Sequence, residues 1–245
     1  NDATYNTAIG YSALSALTTG DQNVTVGAAA MVAIAGGSYN ISMGVSSLES
    51  NVSSNYNTAL GHAAGSQTTG ADNTYVGGTA GNAVTTASGS AFLGRDAGGS
   101  VTTGNMNIAI GYDALNGGTT TGDWNIAIGS SAGDALTSGY NNVFMGRNAG
   151  TAATTGESNV AIGPHAGLGI ITGSNNVCIG LSSGNSIANG AHNVAIGGAN
   201  TAVGVTTGKN GVFVGSFAGP DTRGGATTCG DSNTCIGYVA GYHIN

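Results

Sequence analysis

Two stretches carry the spacing of a serine nucleophile: Gly129-Ser130-Ser131-Ala132-Gly133 and Gly180-Leu181-Ser182-Ser183-Gly184. In a G-x-S-x-G elbow the central serine stands exposed on a strand-to-helix turn and is activated by a His base. The same frame reappears without its serine as GHAAG at Gly61 to Gly65 and GRNAG at Gly146 to Gly150, so the spacing follows from a repeat and not from a reaction. His62, His165, His192 and His243 do not recur at zinc-ligand spacing with Cys or carboxylate partners. Asp21, Asp123, Glu157 and Asp231 each follow a turn glycine, and the Gly-Gly-x-Gly-x-Asp calcium repeat is absent. Lys209 lacks the glycine spacing and hydroxyl of a phosphate-binding loop. Cys229 and Cys235 could bridge, whereas Cys178 has no evident partner and a buried thiol explains it equally well. The expectation is a chain without catalytic residues, metal or cofactor.

What positions these residues is a repeat. The pentapeptide NVAIG occurs at Asn159 and Asn193, NIAIG at Asn107 and Asn125, and NTAIG at Asn6. The closing glycines are Gly10, Gly27, Gly44, Gly61, Gly77, Gly94, Gly111, Gly129, Gly146, Gly163, Gly180, Gly197, Gly215 and Gly237. Their spacing is 17 residues, except 16 before Gly77, 18 before Gly129 and Gly215, and 22 before Gly237. Four places before the glycine stands Asn6, Asn23, Asn40, Asn57, Asn73, Asn107, Asn125, Asn142, Asn159, Asn176, Asn193 or Asn233, with Ser90 and Gly211 as exceptions. Branched residues at period two between Asn and Gly predict a short strand. A small residue three places after the glycine predicts a corner, and turns such as Thr18-Thr19-Gly20 close the unit.

These units stack, in this reading, into an all-β parallel β-solenoid of about fourteen coils. Each Asn lies over the next and bonds to it through its amide, as stacked Asn do in cross-β assemblies. Residues 1–214 form the regular coils; 215–245 hold the last coils with an insertion around Pro220 to Gly225, a candidate cap that a Cys229–Cys235 pair would staple. The outer strand aliphatics are expected to fill the interior. The residue between them, large at Tyr75, Phe92, Phe144 and Phe213, is then expected outside, as a stripe that packs against other copies of the chain.

Composition agrees with strands and turns. Gly contributes 46 residues and charged groups 15, against roughly a quarter charged in an ordinary domain. The net charge of −7 and four scattered basic residues argue against a nucleic-acid partner. The longest apolar stretch, Ala28 to Ala35, is far below the ~20 residues of a membrane helix. The absence of an initial Met suggests a processed product or a piece of a longer chain. Asn23, Asn40 and Asn51 begin glycosylation sequons, but the first two are ladder positions, where a glycan would block stacking.

With its small residue three places on, the NVAIG unit resembles the head repeat of YadA-type trimeric autotransporter adhesins, whose motif is Asn-Ser-Val-Ala-Ile-Gly. It is similar too to the TTG…NVAIG…AG arrays of phage tail fibres and related surface proteins. The resemblance covers essentially the whole chain and implies a left-handed β-roll, a homotrimer, and an extracellular role in a virion tail fibre or on a cell surface. Adhesin heads use a shorter unit, so the connecting turns here are larger; the missing stalk and anchor segments, with the regular TTG turns, favour the tail fibre over the bacterial adhesin head. A rigid spacer is expected, with contact to a host-surface receptor or glycan through the residue after the motif glycine: Tyr11, His62, Arg95, Tyr112, Arg147 and Tyr238. The competing reading is an ice- or crystal-binding solenoid that displays the turn threonines, such as Thr18, Thr68, Thr102 and Thr154.

Overall fold

The computed structural model describes residues 3–198, 201–202, 204–219 and 230–241. The expected insertion around Pro220 to Gly225, together with Cys229 and His243, lies outside them. Among the described residues there is no helix, and every strand has three residues. The chain forms two compact units, 1–124 and 125–245.

The first unit carries β1 (Thr7–Ile9), β2 (Val24–Val26), β3 (Ile41–Met43), β4 (Thr58–Leu60), β5 (Thr74–Val76), β6 (Ala91–Leu93) and β7 (Ile108–Ile110). The second carries β8 (Ile126–Ile128), β9 (Val143–Met145), β10 (Val160–Ile162), β11 (Val177–Ile179), β12 (Val194–Ile196), β13 (Val212–Val214) and β14 (Thr234–Ile236). Within each unit every strand pairs in parallel with its successor, so each 17-residue repeat is one turn of a β-solenoid. The register joins equivalent residues, as Val24 to Ile41 and Val160 to Val177.

Each coil bends where its backbone enters the left-handed region. Three places recur: the residue before the ladder Asn, the second residue after the motif glycine, and the fourth. In the second coil these are Gln22 (φ 57°), Ala29 (55°) and Met31 (47°). The motif glycine is required by a different contact. At Gly146 (φ 133°) a Cβ would stand 2.5 Å from the carbonyl oxygen of Gly163 one coil on, so only Gly lets the backbones approach so closely.

The interior reverses the expected arrangement. The middle residue of each strand points inward: Tyr75, Phe92, Phe144 and Phe213 are fully buried within their own coils. They therefore cannot form the outer stripe assigned to them. The flanking aliphatics face out instead; Met43 is 46 % and Leu93 48 % exposed. The coil is narrow: one inward side chain per strand is met by a corner residue, and a further buried side chain seven places after the motif glycine, as at Ile34, Val84, Leu136 and Ile170, helps to fill it.

In several coils that pairing is complementary in volume. Small centres meet large corners at Thr25 with Met31, Ser42 with Leu48 and Ala109 with Leu115, whereas Ala59, Ala127 and Ala161 meet glycine at Gly65, Gly133 and Gly167. Where the centre is large, the corner is glycine: Tyr75 with Gly81, Phe92 with Gly98, Phe144 with Gly150. A Cβ on Gly98 would lie 2.4 Å from the Phe92 ring. Buried hydroxyls are also paired, Thr68 donating to the Tyr75 oxygen at 3.2 Å. Close packing at this density makes each volume change costly.

Phe92→Ala is expected to lose about 3–5 kcal/mol of stability in denaturant unfolding. Adding Gly98→Leu should restore most of it, because Leu115 occupies the same left-handed corner at φ 52° in the next coil. A double variant no more stable than Phe92→Ala would refute the pairing.

Candidate functional site

The most elaborate chemistry of the molecule lies in its hydrogen-bond ladders. In the Asn column, Oδ1 of one rung accepts from the backbone N–H of the next. Asn40 donates to Asn23 at 3.0 Å, Asn57 to Asn40 at 2.9 Å, Asn159 to Asn142 at 2.9 Å and Asn176 to Asn159 at 3.0 Å. The Nδ2 group does a second job: it closes its own coil by donating to the turn glycine carbonyl fourteen residues on, as Asn6 to Gly20, Asn142 to Gly156 and Asn159 to Gly173. On several rungs it also donates to the Oδ1 below, Asn176 to Asn159 at 3.1 Å among them.

Asn23, Asn40, Asn57, Asn73, Asn107, Asn125, Asn142, Asn159, Asn176 and Asn193 are fully buried; Asn6 and Asn233 are half-buried. The exceptions fit the same circuit. Ser90 N–H donates to Asn73 and its hydroxyl accepts from Asn107, while Gly211 N–H donates to Asn193. Asn51 is also fully buried, so all three sequon asparagines lie inside the fold.

A second ladder runs the other way, two residues before the first. Here a backbone N–H donates to the side-chain oxygen of the following coil: Thr4 to Asp21 at 2.6 Å, Asp21 to Ser38 at 3.0 Å, Ser38 to Asn55 at 2.7 Å and Asn105 to Asp123 at 2.6 Å. In the second unit Glu157 N–H reaches Ser174 and Lys209 N–H reaches Asp231. The Thr4 amide and hydroxyl hold the Asp21 carboxyl below its ordinary range. These contacts give the turn carboxylates Asp21, Asp123 and Asp231 a structural role.

The turn threonines form a third set. Thr18, Thr85, Thr137 and Thr154 donate their hydroxyls to carbonyls of the next coil, at 2.9, 3.1, 3.0 and 3.0 Å. Hydroxyls engaged in this way are not a free array for ordering water, which weighs against the ice-binding reading.

Ser131 and Ser182, the centres of the two G-x-S-x-G stretches, sit at φ 53° on the left-handed corner that every coil shares. No group of three His, Cys, Asp or Glu suited to a metal occurs among the described residues. Cys178 and Cys235 occupy strand centres as buried thiols, and burial pushes the Cys178 thiol up to about 12.

The residue after the motif glycine is exposed at Tyr11, His62, Arg95, Tyr112, Arg147 and Tyr238. Neighbouring coils bring some of these together. Arg95 lies over the Tyr112 ring at 4.6 Å and beside Asp96 at 3.4 Å. Arg147 meets the His165 ring at 2.9 Å, and Tyr238 stands edge-on to Phe217 at 6.2 Å. A different exposed column, at the residue before the ladder Asn, escaped sequence reasoning: Tyr39 and Tyr56 stack there at 4.9 Å, and the Trp124 indole donates to Met106 sulfur. Its signal was aromatics recurring at 17-residue spacing, at Tyr39 and Tyr56.

Searches against family models, curated proteins and solved structures return no match.

Asn159→Ala should lower stability by roughly 3 kcal/mol or more, because it leaves the buried amide of Asn176 and the carbonyl of Gly173 without partners. Asn6→Ala on the half-buried end rung should cost under about 1 kcal/mol in the same unfolding experiment. Equal losses would contradict a ladder whose strength lies in burial.

The Asp21 carboxyl is depressed, so its contribution is present above the ordinary carboxylate pKa and lost as pH falls through the lowered value. Hydrogen exchange at the Thr4 amide should therefore accelerate as pH falls below about 4, beyond the intrinsic pH trend. In Asp21→Asn that extra acceleration should vanish.

Proposed function

We propose that the chain is a non-enzymatic structural module of a fibre, a stiff spacer whose copies pack side by side and whose exposed corners contact a host surface. The observation that carries this reading is the outer strand face. In the first unit the third residues of seven successive strands form an aliphatic column, exposed at Met43, Leu93 and Ile110, and the first residues beside it are Val24, Ile41 and Ile108 interspersed with Thr7, Thr58, Thr74 and Ala91. With strands ~4.8 Å apart and same-face neighbours ~6.6 Å apart, the two columns span roughly 200 Å² per unit. A column that stays aliphatic from rung to rung offers a second, equally regular apolar column a surface to cover. The second unit carries the same columns, through Met145, Ile162 and Ile196.

The face is as repetitive as the fold, so a partner that matches it rung for rung is another copy of the same chain. Charged groups are absent from both columns, so nothing opposes their burial. Three copies and an extracellular place, in a virion tail fibre before a bacterial adhesin head, follow from the sequence resemblance. The spacer role is supported by the ladders, which within each unit tie described coils to their neighbours through backbone and side chain alike.

Sedimentation and light scattering of the full chain should give a mass of three copies at micromolar concentration. Met43→Lys combined with Leu93→Lys, which places two charges on the face without touching the core, should yield monomers with unchanged far-UV circular dichroism. A monomeric parent chain, or a double variant that still assembles, would overturn the proposal.

A further inference from the structure

The residue before the ladder Asn takes left-handed backbone in every described coil, with φ between 55° and 69°. Asn and Gly adopt that conformation at little cost, whereas a bulky side chain there is unfavourable. The second unit follows this preference, placing Asn141, Asn175 and Asn210 at the position. The first unit places Tyr5, Tyr39, Tyr56 and Trp124 at four of its eight such positions, beside Gln22, Asp72, Gly89 and Met106. These rings contribute little to the core, since Tyr5 is 85 %, Tyr39 46 % and Tyr56 57 % exposed. The fold is satisfied by Asn at this place, so the aromatics answer to something outside the fold.

The chemistry of the column narrows what that is. Tyr39 and Tyr56 are parallel within 6°, and no ring stands on the Gln22 or Asp72 rungs on either side of the pair. Both rings of the pair are exposed. Tyr5 and Tyr39 are two rungs apart, about 9.6 Å. The Gln22 amide, 3.4 Å from the Tyr39 hydroxyl, lies on the rung between them. Ring faces with amide, carboxylate and phenol groups at their edges match a ligand that is apolar on its C–H faces and hydroxylated around its rim.

Other classes of ligand fit less well. A nucleic acid would stack on the rings but needs cations along its backbone, and residues 1–94 contain no Lys or Arg, while Asp72 stands in the column and Asp21 next to Gln22 in sequence. An extended peptide would need a free backbone edge. The column's own amides are already used: Gln22 donates to Thr4, Tyr39 to Asp21, Tyr56 to Ser38 and Asp72 to Asn55.

We propose that the outer column of the first unit, Tyr5, Gln22, Tyr39, Tyr56 and Asp72, binds a neutral, hydroxyl-rich glycan chain. The inference rests on the surface-contact half of the function proposed above and is independent of its self-association half. It moves that contact from the residue after the motif glycine to the residue before the ladder Asn. A linear polymer is favoured over a single sugar because the column repeats along the coil axis and has no enclosing walls.

Affinity electrophoresis of the full chain in gels containing hydroxyethylcellulose, glycol chitin or dextran tests this directly. Retardation by at least one of the three is expected. In the triple variant Tyr5→Asn, Tyr39→Asn, Tyr56→Asn the dissociation constant should rise at least about tenfold. The melting temperature should not fall, because Asn is the residue the backbone prefers there. The mass of the assembly should also be unchanged in the variant. No retardation by any of the three polymers, or retardation that survives the triple variant, would overturn the inference. So would a variant that loses its assembly, which would assign the column to the contact between copies. Binding to a thymidine oligonucleotide or a proline-rich peptide that the triple variant abolishes would assign the column to another class of partner and equally overturn it.

Discussion

One side chain per coil makes the stack possible: an Asn carboxamide held in two directions at once. Its nitrogen ties the beginning of a coil to the turn that ends it, and its oxygen takes the first amide of the next coil. No other side chain does both from this place. Asp lacks the donor, Gln is a methylene too long, and Ser supplies an acceptor without reaching the turn carbonyl. The Ser90 rung shows the lesser form: its hydroxyl accepts from Asn107, and the rung is closed without an amide of its own. Because the column is buried, each bond replaces water that cannot return, and an orphaned partner would bear the full desolvation cost.

The rest of the cross-section adapts to that column. Short strands and three left-handed bends per coil bring the backbone round in seventeen residues. The resulting interior is so narrow that a strand contributes one side chain to it, and corner and turn residues complete it. The aliphatic residues left outside are then a consequence of geometry, and they line up into an exposed apolar face. The ladders repeat from coil to coil, while the side chains inside vary in size and the columns outside differ between the two units.

The sequence made the ladder and the parallel stack legible, because identical residues recur at fixed spacing and only a coil per repeat explains Asn23, Asn40 and Asn57 in register. It misled on the direction of the strands. Hydrophobicity alone points to Val, Ile and Leu as core, but the slot inside holds the middle residue of the strand, Ala59, Ala109 and Ala161 as well as Phe92, and the flanking aliphatics face out. The second ladder was hidden because its members differ in type, Asp21, Ser38 and Asn55 sharing only a short side chain with an acceptor oxygen. The left-handed positions were hidden as well, since Tyr39, Ala29 and Met31 give no glycine signal for them.

The central claim is that buried amides, rung to rung, hold the coils together. Native-state hydrogen exchange on the full chain, followed residue by residue, tests it most directly. The backbone amides of Asn40, Asn57, Asn159 and Asn176 should exchange as slowly as those of the neighbouring strand residues Ile41 and Val160, since all open only when coils part. If the Asn amides instead exchange at the rate of an exposed turn residue such as Gln67 while the strands stay protected, the ladder is not what joins one coil to the next.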